Sequence, residues 1–445
     1  MKKVAILLVL LASLRLSAQD EGVQLMPVSI PETREAGGSL WASNHYFHNH
    51  GGEPPVSLDG SAVPPYYDAT ALPDAFLLPS EIRANVHAAW DGSHYLVVGN
   101  GPGVLAMRVD RLGRVLDETI VVVDDRGEAR GIAYDGSNFL VVYVEDPVER
   151  GHGSSLYGRR LIANADELVV LDSEPILIAR SNFPVSGWIH DADISFGDGV
   201  YLVAWSRAYG STWDVATTRV SPEGSVLGPE VSVWSTLDRE EMPSLAFDGN
   251  NFFVTWTSGS RIEGAFVDPQ SGAVGLPVQV SLTSSDFPFH VHPELAWNGA
   301  HYLIAWSAGT DYPAMRIVGT RMTANGEVID GYPTAGGGLS LPASPMPQGL
   351  AEVSWDGRDF VISWAEGTNF CNFDPCLFPN YRLLFTRVSP EGDVADRIPS
   401  SLGDGVLHGH ASGPVGQSLF FYQRDEKTIL VQPFSIQPRR RLTRR

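Results

Sequence analysis

A pattern that recurs seven times constrains the fold of this 445-residue chain more than any other feature. Each copy has small or apolar residues, an aromatic residue, an Asp-Gly or Asn-Gly turn and an apolar, aromatic-rich run. Self-similarity at spacings of 44 to 62 residues between the aligned aromatic residues predicts an array of like units. The copies read AAWDGSHYLVVG from Ala88, IAYDGSNFLVVY from Ile132, ISFGDGVYLVAW from Ile194, LAFDGNNFFVTW from Leu245, LAWNGAHYLIAW from Leu295, VSWDGRDFVISW from Val353 and a degenerate ASGPVGQSLFFYQ from Ala411.

The residue types within one copy indicate β-structure. Asp-Gly and Asn-Gly favour the positive φ angles of a tight hairpin turn, and the flanking Val, Ile, Trp, Tyr and Phe suit strands. Leu303-Ile304-Ala305 is apolar without alternation, as in a strand buried on both faces. A second motif, such as TTRVSPEGSVLGPEVSV from Thr217, adds two further strands around a Gly-containing turn. Four strands per repeat predict an all-β fold, a seven-bladed β-propeller of four-stranded blades.

The two ends of the repeat region predict how the ring closes. The seventh copy supplies three strands and then stops, whereas Ala71 to Ser80 resembles the outermost strands of the other copies and precedes the first one. Pairing these ends would leave no exposed sheet edge, so we expect an N-terminal strand to complete the last blade. An open stack of the same units is the structural alternative.

The repeats resemble those of secreted bacterial β-propeller proteins that carry a W-D-G-x-x-Y-L-V-x-W type blade motif. The resemblance spans about Ala71 to Phe434, most of the chain. It implies the architecture and little about chemistry, because propellers include enzymes, lectins and scaffolds.

The flanking segments and the composition predict an exported protein. Residues 1–18 resemble a signal peptide, with Lys2 and Lys3 before a short apolar stretch. We assign residues 19–70 to a strap or loop region, 71–434 to the propeller and 435–445 to a basic tail. The net charge of −21 argues against nucleic-acid binding. We expect a secreted or periplasmic monomer without a transmembrane segment.

The two cysteines, Cys371 and Cys376, are the only ones in the chain. In an oxidising compartment their close spacing favours a local disulfide bond. His45, His48 and His50 form a separate cluster in a Gly-flanked segment, and they are either solvent-exposed or ligands of a transition metal.

The first candidate site is a set of mostly polar residues, one from the inner strand of each repeat, in strands that are otherwise apolar. We call this set the polar column. The column stands four residues before the Asp-Gly or Asn-Gly turn in most copies, where alternation places it on the same side as a small residue. It could bind a divalent cation such as Ca²⁺ or a polar ligand, or it could line a wet channel mouth with its polar groups satisfied by water. The candidate ligand-binding residues are His87, Asp193, Glu294, Glu352 and His410, with His292 just before the column and Gly131 and Ser244 completing it.

The loops between second and third strands are the other candidate site. Tyr209, Trp213, Phe370 and Phe373 fall in the longer of these loops, where exposed aromatic residues suit carbohydrate or peptide binding. The alternative is that they pack within their own loops. With no catalytic motif found, the leading hypothesis is a non-catalytic propeller that binds an extracellular or periplasmic protein, peptide or glycan. The alternatives are a glycan-acting hydrolase that uses Asp193, Glu294 and Glu352, and a propeller that a cation stabilises.

Overall fold

The strands of the chain form seven antiparallel sheets. The computed structural model describes residues 74–435 except 146–152, 165–166, 182–187, 210–211, 311–314, 333–337, 345, 368–380, 397 and 426–427. Within those residues the secondary structure is entirely β, and no helix is long and apolar enough to cross a membrane. The prediction of an all-β fold is therefore confirmed.

Each sheet is one blade, and its strands follow one another outward from the first, except that in blade 2 both β9 and β10 pair with β8. Blade 7 takes its outermost strand from β1 (Phe76–Leu77). Blade 1 contains β2 (Ala84–Trp90), β3 (Tyr95–Gly101), β4 (Gly103–Val109) and β5 (Val121–Asp124). Blade 2 contains β6 (Glu128–Tyr134), β7 (Phe139–Glu145), β8 (Ser155–Ala163), β9 (Leu168–Val170) and β10 (Ile176–Arg180). Blade 3 contains β11 (Ile189–Gly197), β12 (Val200–Tyr209), β13 (Thr212–Val220) and β14 (Val231–Trp234). Blade 4 contains β15 (Glu240–Phe247), β16 (Phe252–Ser258), β17 (Arg261–Val267) and β18 (Val278–Gln279).

The last three blades repeat the arrangement. Blade 5 contains β19 (Phe289–Trp297), β20 (His301–Gly309) and β21 (Met315–Thr323). Blade 6 contains β22 (Gln348–Trp355), β23 (Phe360–Glu366), β24 (Arg382–Val388) and β25 (Ser400–Asp404), and blade 7 contains β26 (Val406–Ser412), β27 (Gln417–Asp425) and β28 (Thr428–Ser435). In blade 5 the described residues form three strands, and the N–H of Leu339 donates to the carbonyl of Gly319 at 2.9 Å on the outer side.

The ring closes as the sequence predicts. Strand β1 pairs antiparallel with β28, with Phe76 opposite Val431, and the N–H of Leu78 donates to the carbonyl of Ile429 at 2.9 Å. Each of the seven innermost strands contacts the innermost strands of both neighbouring blades, including β26 with β2. The chain thus forms a closed seven-bladed β-propeller, and the innermost strands surround its axis.

The hydrophobic core lies between blades. Seven clusters of buried apolar residues each join residues of two adjacent blades. The second strands are apolar on both faces because each is covered by a blade on either side, as their uninterrupted apolar runs predict. Their largest members, Trp205, Trp256, Trp306 and Trp364, are completely buried. Burying one large aromatic side chain contributes about 2–3 kcal/mol, so these interfaces dominate the stability of the ring.

In several blades an arginine of the third strand forms hydrogen bonds with the following blade. The sequence motif around this arginine did not predict that role. Arg321 donates from Nε and Nη2 to the Asp330 carboxylate at 3.0 and 2.7 Å, and from Nη1 to the carbonyl of Pro390 in blade 6 at 2.8 Å. Gly392, with φ of 92°, gives this guanidinium room, since a Cβ there would lie 2.7 Å from Arg321 Cζ. Equivalent bonds to the following blade join Arg108 to the carbonyl of Asn164 and Arg160 to that of Pro222.

Candidate functional site

The polar column follows a β-bulge that recurs in all seven innermost strands. In each strand the register with its partner shifts at or immediately before the column residue, for example between Val291 and Glu294 and between Gly349 and Glu352. A bulge adds an unpaired residue and redirects the side chains that follow it. The repeated bulge is therefore the local device that orients the column within the ring.

Four of these bulges hold a residue other than glycine at positive φ. These residues stand two positions before the column residue, and they are Asn85, Met242, His292 and Leu350, with φ of 47°, 59°, 57° and 58°. The left-handed conformation costs about 1–2 kcal/mol for a residue with a Cβ. Because backbone strain persists only where surrounding structure maintains it and clusters at functional sites, its recurrence here marks the column as a candidate site.

Two cavities at the axis bring the predicted column residues together. One, of about 140 Å³, is lined by Asp193, Glu294, Glu352, His87 and His292 among others. A second of about 140 Å³ shares His87, Asp193 and Glu352 and adds Gly131 and His410. The structure thus brings together six of the seven column positions, those of blades 1, 2, 3, 5, 6 and 7, around these two cavities.

Most of the column side chains are held by hydrogen bonds between blades. Ser244 donates from Oγ to Glu294 Oε2 at 2.9 Å, and the Leu245 N–H donates to Asp193 Oδ2 at 2.9 Å. Ser363 Oγ lies 2.8 Å from His410 Nδ1. Glu352 differs, because its carboxyl makes no hydrogen bond or ion pair with any described residue and lines both cavities. Its carboxyl is therefore an available polar group of the column.

Burial within the ring raises the pKa of the three column carboxyls. The pKa of Asp193 rises to about 6, although the N–H donors of Leu245 and Ile194 oppose the shift. The pKa of Glu352 rises to about 8 through burial and then the charge of Asp193. Burial and the neighbouring charges of Glu352 and Asp193 raise the pKa of Glu294 well above its ordinary value. Near neutral pH the site therefore holds both protonated and ionised carboxyls.

Two histidines of the site, His292 and His410, are uncharged at neutral pH. Burial lowers the pKa of His292 to about 4 and that of His410 to about 3. A neutral imidazole offers one donor and one acceptor nitrogen. These rings can therefore hydrogen-bond a ligand and contribute no positive charge to offset the carboxylates.

Trp213 does not have the exposed position in a loop that the sequence predicts. It lies in β13, directly across from Ala208 of β12, and only 6% of it is exposed. The Arg239 guanidinium lies 4.8 Å from the Trp213 ring centroid, and the His190 ring meets it edge-on at 4.6 Å. The segment extends the hairpin rather than forming a loop, so these cationic and aromatic neighbours cover the indole. A ligand-binding role for Trp213 stays a prediction.

Several predicted residues lie outside the described part of the chain. Tyr209 is the last residue of β12, and its side chain is not among the described ones. Phe370, Phe373, the Cys371–Cys376 disulfide, the histidines at positions 45, 48 and 50, the signal peptide and the residues of the basic tail after Ser435 all fall outside the described residues. Each of these assignments stays a prediction.

Asp191, Arg130, Met242 and Leu350 also line the cavity, and our sequence reasoning did not include them among the site residues. Their common signal is position, because each lies one or two residues before a column residue. Among the described residues no three His, Cys, Asp or Glu side chains are grouped so that they could hold a metal ion. Binding of Ca²⁺ or another divalent cation stays a prediction.

Comparisons with known proteins relate the chain to other propellers at low similarity. No family model and no curated protein matches it. The Cps50 (Swd1) β-propeller domain of Myceliophteria thermophila covers 82% of this chain and 100% of its own at 8% identity and a TM-score of 0.49. A GH43 endo-arabinanase from Bacillus licheniformis covers 61% of this chain and 95% of its own at 14% identity and a TM-score of 0.37. The Dos1 propeller covers 77% and 75% at 9% identity and a TM-score of 0.41. Similarities of this size carry no information about activity.

Proposed function

We propose that this chain is an exported, non-catalytic binding propeller that takes a glycan, peptide or protein partner at the mouth of its axial channel. The observation that carries the proposal is Glu352, a carboxyl without a hydrogen-bonding partner among the described residues, at a cavity that Asp193 and Glu294 also line. Buried polar groups normally form hydrogen bonds with other protein groups or with water. One that faces a cavity is available to a ligand.

The surroundings of the cavity support binding there. Four carboxyls line the cavity, those of Asp191, Asp193, Glu294 and Glu352, whereas Arg130 is its only Lys or Arg side chain among the described residues. That guanidinium is paired with Glu128 at 2.8 Å. A concave site with a few convergent polar groups is typical of a ligand-binding pocket. The N-terminal pattern with Lys2 and Lys3 supports export, as a signal peptide would.

The test is a binding screen of the purified chain against defined glycans and synthetic peptides. For any ligand found, Glu294→Gln and Glu352→Gln should weaken binding by about tenfold or more, because an amide cannot reproduce every hydrogen bond that the carboxyl makes to a ligand. Glu118→Gln, an exposed carboxylate in blade 1, is the matched control and should leave the affinity unchanged. A ligand that binds the channel variants as tightly as the original chain would refute the assignment to the channel.

A glycan-acting hydrolase is the second candidate function. It is favoured by the pKa values of about 6 for Asp193 and about 8 for Glu352, which supply an ionised base and a protonated acid near neutral pH. Hydrolysis of a polysaccharide panel should then follow a bell-shaped pH profile. It should disappear when Asp193, Glu294 and Glu352 are all replaced by amides, and hydrolysis that survives those replacements would exclude this mechanism.

A further inference from the structure

The interface between blade 7 and blade 1, which we call the seam, differs from the other six interfaces at its centre. In blades 2 to 7 the middle of the second strand carries an aromatic side chain that packs in the cluster shared with the preceding blade. These residues are Tyr143, Trp205, Trp256, Trp306, Trp364 and Tyr422. The equivalent residue of blade 1 is Gly99. The second strand therefore supplies no large side chain at the centre of the seam.

A short segment before blade 1 fills the space at Gly99. Ile82 is completely buried, and a Cβ placed on Gly99 would lie 2.8 Å from the Cγ2 atom of Ile82. Leu78 is also buried and belongs to the same apolar cluster between blades 7 and 1. Because protein interiors are close-packed, an aromatic side chain at position 99 would compete with Ile82 for this space. The glycine and the segment are thus matched to each other.

The third-strand arginine that joins neighbouring blades is replaced by proline in blade 7. Pro433 has the place in the strand pairing that Arg108 has in blade 1, and proline has neither a guanidinium nor an N–H to donate. Blade 4 has Phe266 at this place, and its ring packs against the apolar cluster between blades 4 and 5. At the seam the guanidinium of Arg114 in blade 1 lies 6.0 Å from the centroid of the Phe76 ring. That contact ends on the N-terminal segment, which therefore links the two blades.

From these features we propose that the ring opens at the seam and that residues 76–82 are the latch that holds the seam closed. Phe76 and Leu77 of the latch pair with β28, and the N–H of Leu78 donates to the carbonyl of Ile429 at 2.9 Å. These contacts with blade 7 are not covalent. The latch can therefore separate while the hydrogen bonds between the other strands of each blade stay intact.

Opening of the seam gives access to the channel from the side. His87 of blade 1 and His410 of blade 7 belong to the two blades that meet at the seam, and both line the second axial cavity of about 140 Å³. Separation of these blades uncovers column residues that the closed ring encloses. The latch does not depend on which ligand the channel takes.

The first experiment measures how often two equivalent interfaces open in the full chain. Val97 of blade 1 and Val203 of blade 3 are completely buried residues at the same place in the second strand, the first at the seam and the second between blades 2 and 3. In the variants V97C and V203C, labelling by N-ethylmaleimide without denaturant is followed by mass spectrometry of the peptides, which distinguishes the new thiol from the two natural cysteines. Since a buried thiol reacts only when the structure around it opens, we expect the thiol of V97C to be labelled at least about tenfold faster than that of V203C. Equal rates, or faster labelling of V203C, would overturn the inference.

The second experiment tests the latch itself. The variant I82A removes most of the side chain that fills the space at Gly99, and I262A is the matched control, because Ile262 is equally buried between blades 4 and 5. In I82A the labelling of V97C should accelerate by at least about tenfold and that of V203C should not change, whereas in I262A both rates should stay as they are. Equal acceleration of V97C and V203C by I82A would mean that the whole ring unfolds. Unchanged labelling of V97C in I82A would mean that the seam opens without release of the latch, and either result refutes the latch.

Discussion

Replacing Glu352 by glutamine should make the protein more stable at alkaline pH. The substitution keeps the shape of the side chain, and Glu352 makes no hydrogen bond or ion pair with a described residue that the exchange would break. Its main effect is to remove a charge that burial and the neighbouring carboxylate of Asp193 disfavour. The variant therefore isolates the cost of ionising one deep carboxyl.

The magnitude follows from the pKa of this carboxyl. Folding raises the pKa of Glu352 from 4.5 to about 8, so the folded state holds the proton more tightly than the unfolded chain. The contribution of this group to stability is then fully present below about pH 4.5 and is lost as the pH rises through about 8. At about 1.4 kcal/mol per pH unit the full loss would be about 5 kcal/mol, and because the Glu352 side chain is only half-buried we expect about 2–5 kcal/mol.

The assay is urea unfolding followed by tryptophan fluorescence between about pH 5 and about pH 9. The free energy of unfolding of Glu352→Gln minus that of the original chain should start near zero and increase with pH by about 2–5 kcal/mol. Glu118→Gln, whose carboxylate is exposed, should show no such increase. A difference that stays flat or decreases as the pH rises would refute the placement of an uncompensated carboxyl in the channel.

Four further predictions concern the ring and its flanking segments. Arg321→Met should lower the free energy of unfolding by about 2–4 kcal/mol, because it leaves Asp330 without its guanidinium partner; a loss below about 0.5 kcal/mol would contradict the role of this residue. Deleting the chain up to residue 80 removes β1 and should lower the melting temperature, since β28 then becomes an exposed edge; an unchanged melting temperature would refute closure by β1. Thiol titration of the unfolded, unreduced protein should find no free thiol if Cys371 and Cys376 are bonded, and two if they are not. A chelator should lower the melting temperature if Ca²⁺ supports the channel, and a chelator without effect would count against that hypothesis.

The sequence predicts the fold well because its signals are local. The Asp-Gly and Asn-Gly turns specify hairpins through their own backbone preferences, and Gly92, Gly249 and Gly299 have φ of 99°, 101° and 95° as those turns require. The uninterrupted apolar runs specify strands covered on both faces. The last repeat supplies only three strands, and its need for a fourth likewise identifies the segment that contains Phe76 and Leu77.

The polar column could also be located from the sequence, because its residue stands four positions before the Asp-Gly or Asn-Gly turn in five of the seven copies. The local pattern left the exposure of Trp213 open, since nothing near it indicates that Arg239, just before β15, and His190, in β11, cover its ring. The role of the arginine that joins blades could not be predicted from the sequence either. Arg321, for example, donates to the carbonyl of Pro390, which belongs to the next repeat.

By itself, then, the amino-acid sequence determined the repeat, the turns, the closing strand and the residues that form the column. Only the tertiary structure decided what the column can do. Glu294 and Glu352 lie in different repeats, and their pKa values depend on their burial and on the distances across the ring. The bulges at Met242 and Leu350 likewise exist only through strand pairing and blade packing. Chemistry at the axis is a property of seven strands brought together, so no single repeat can specify it.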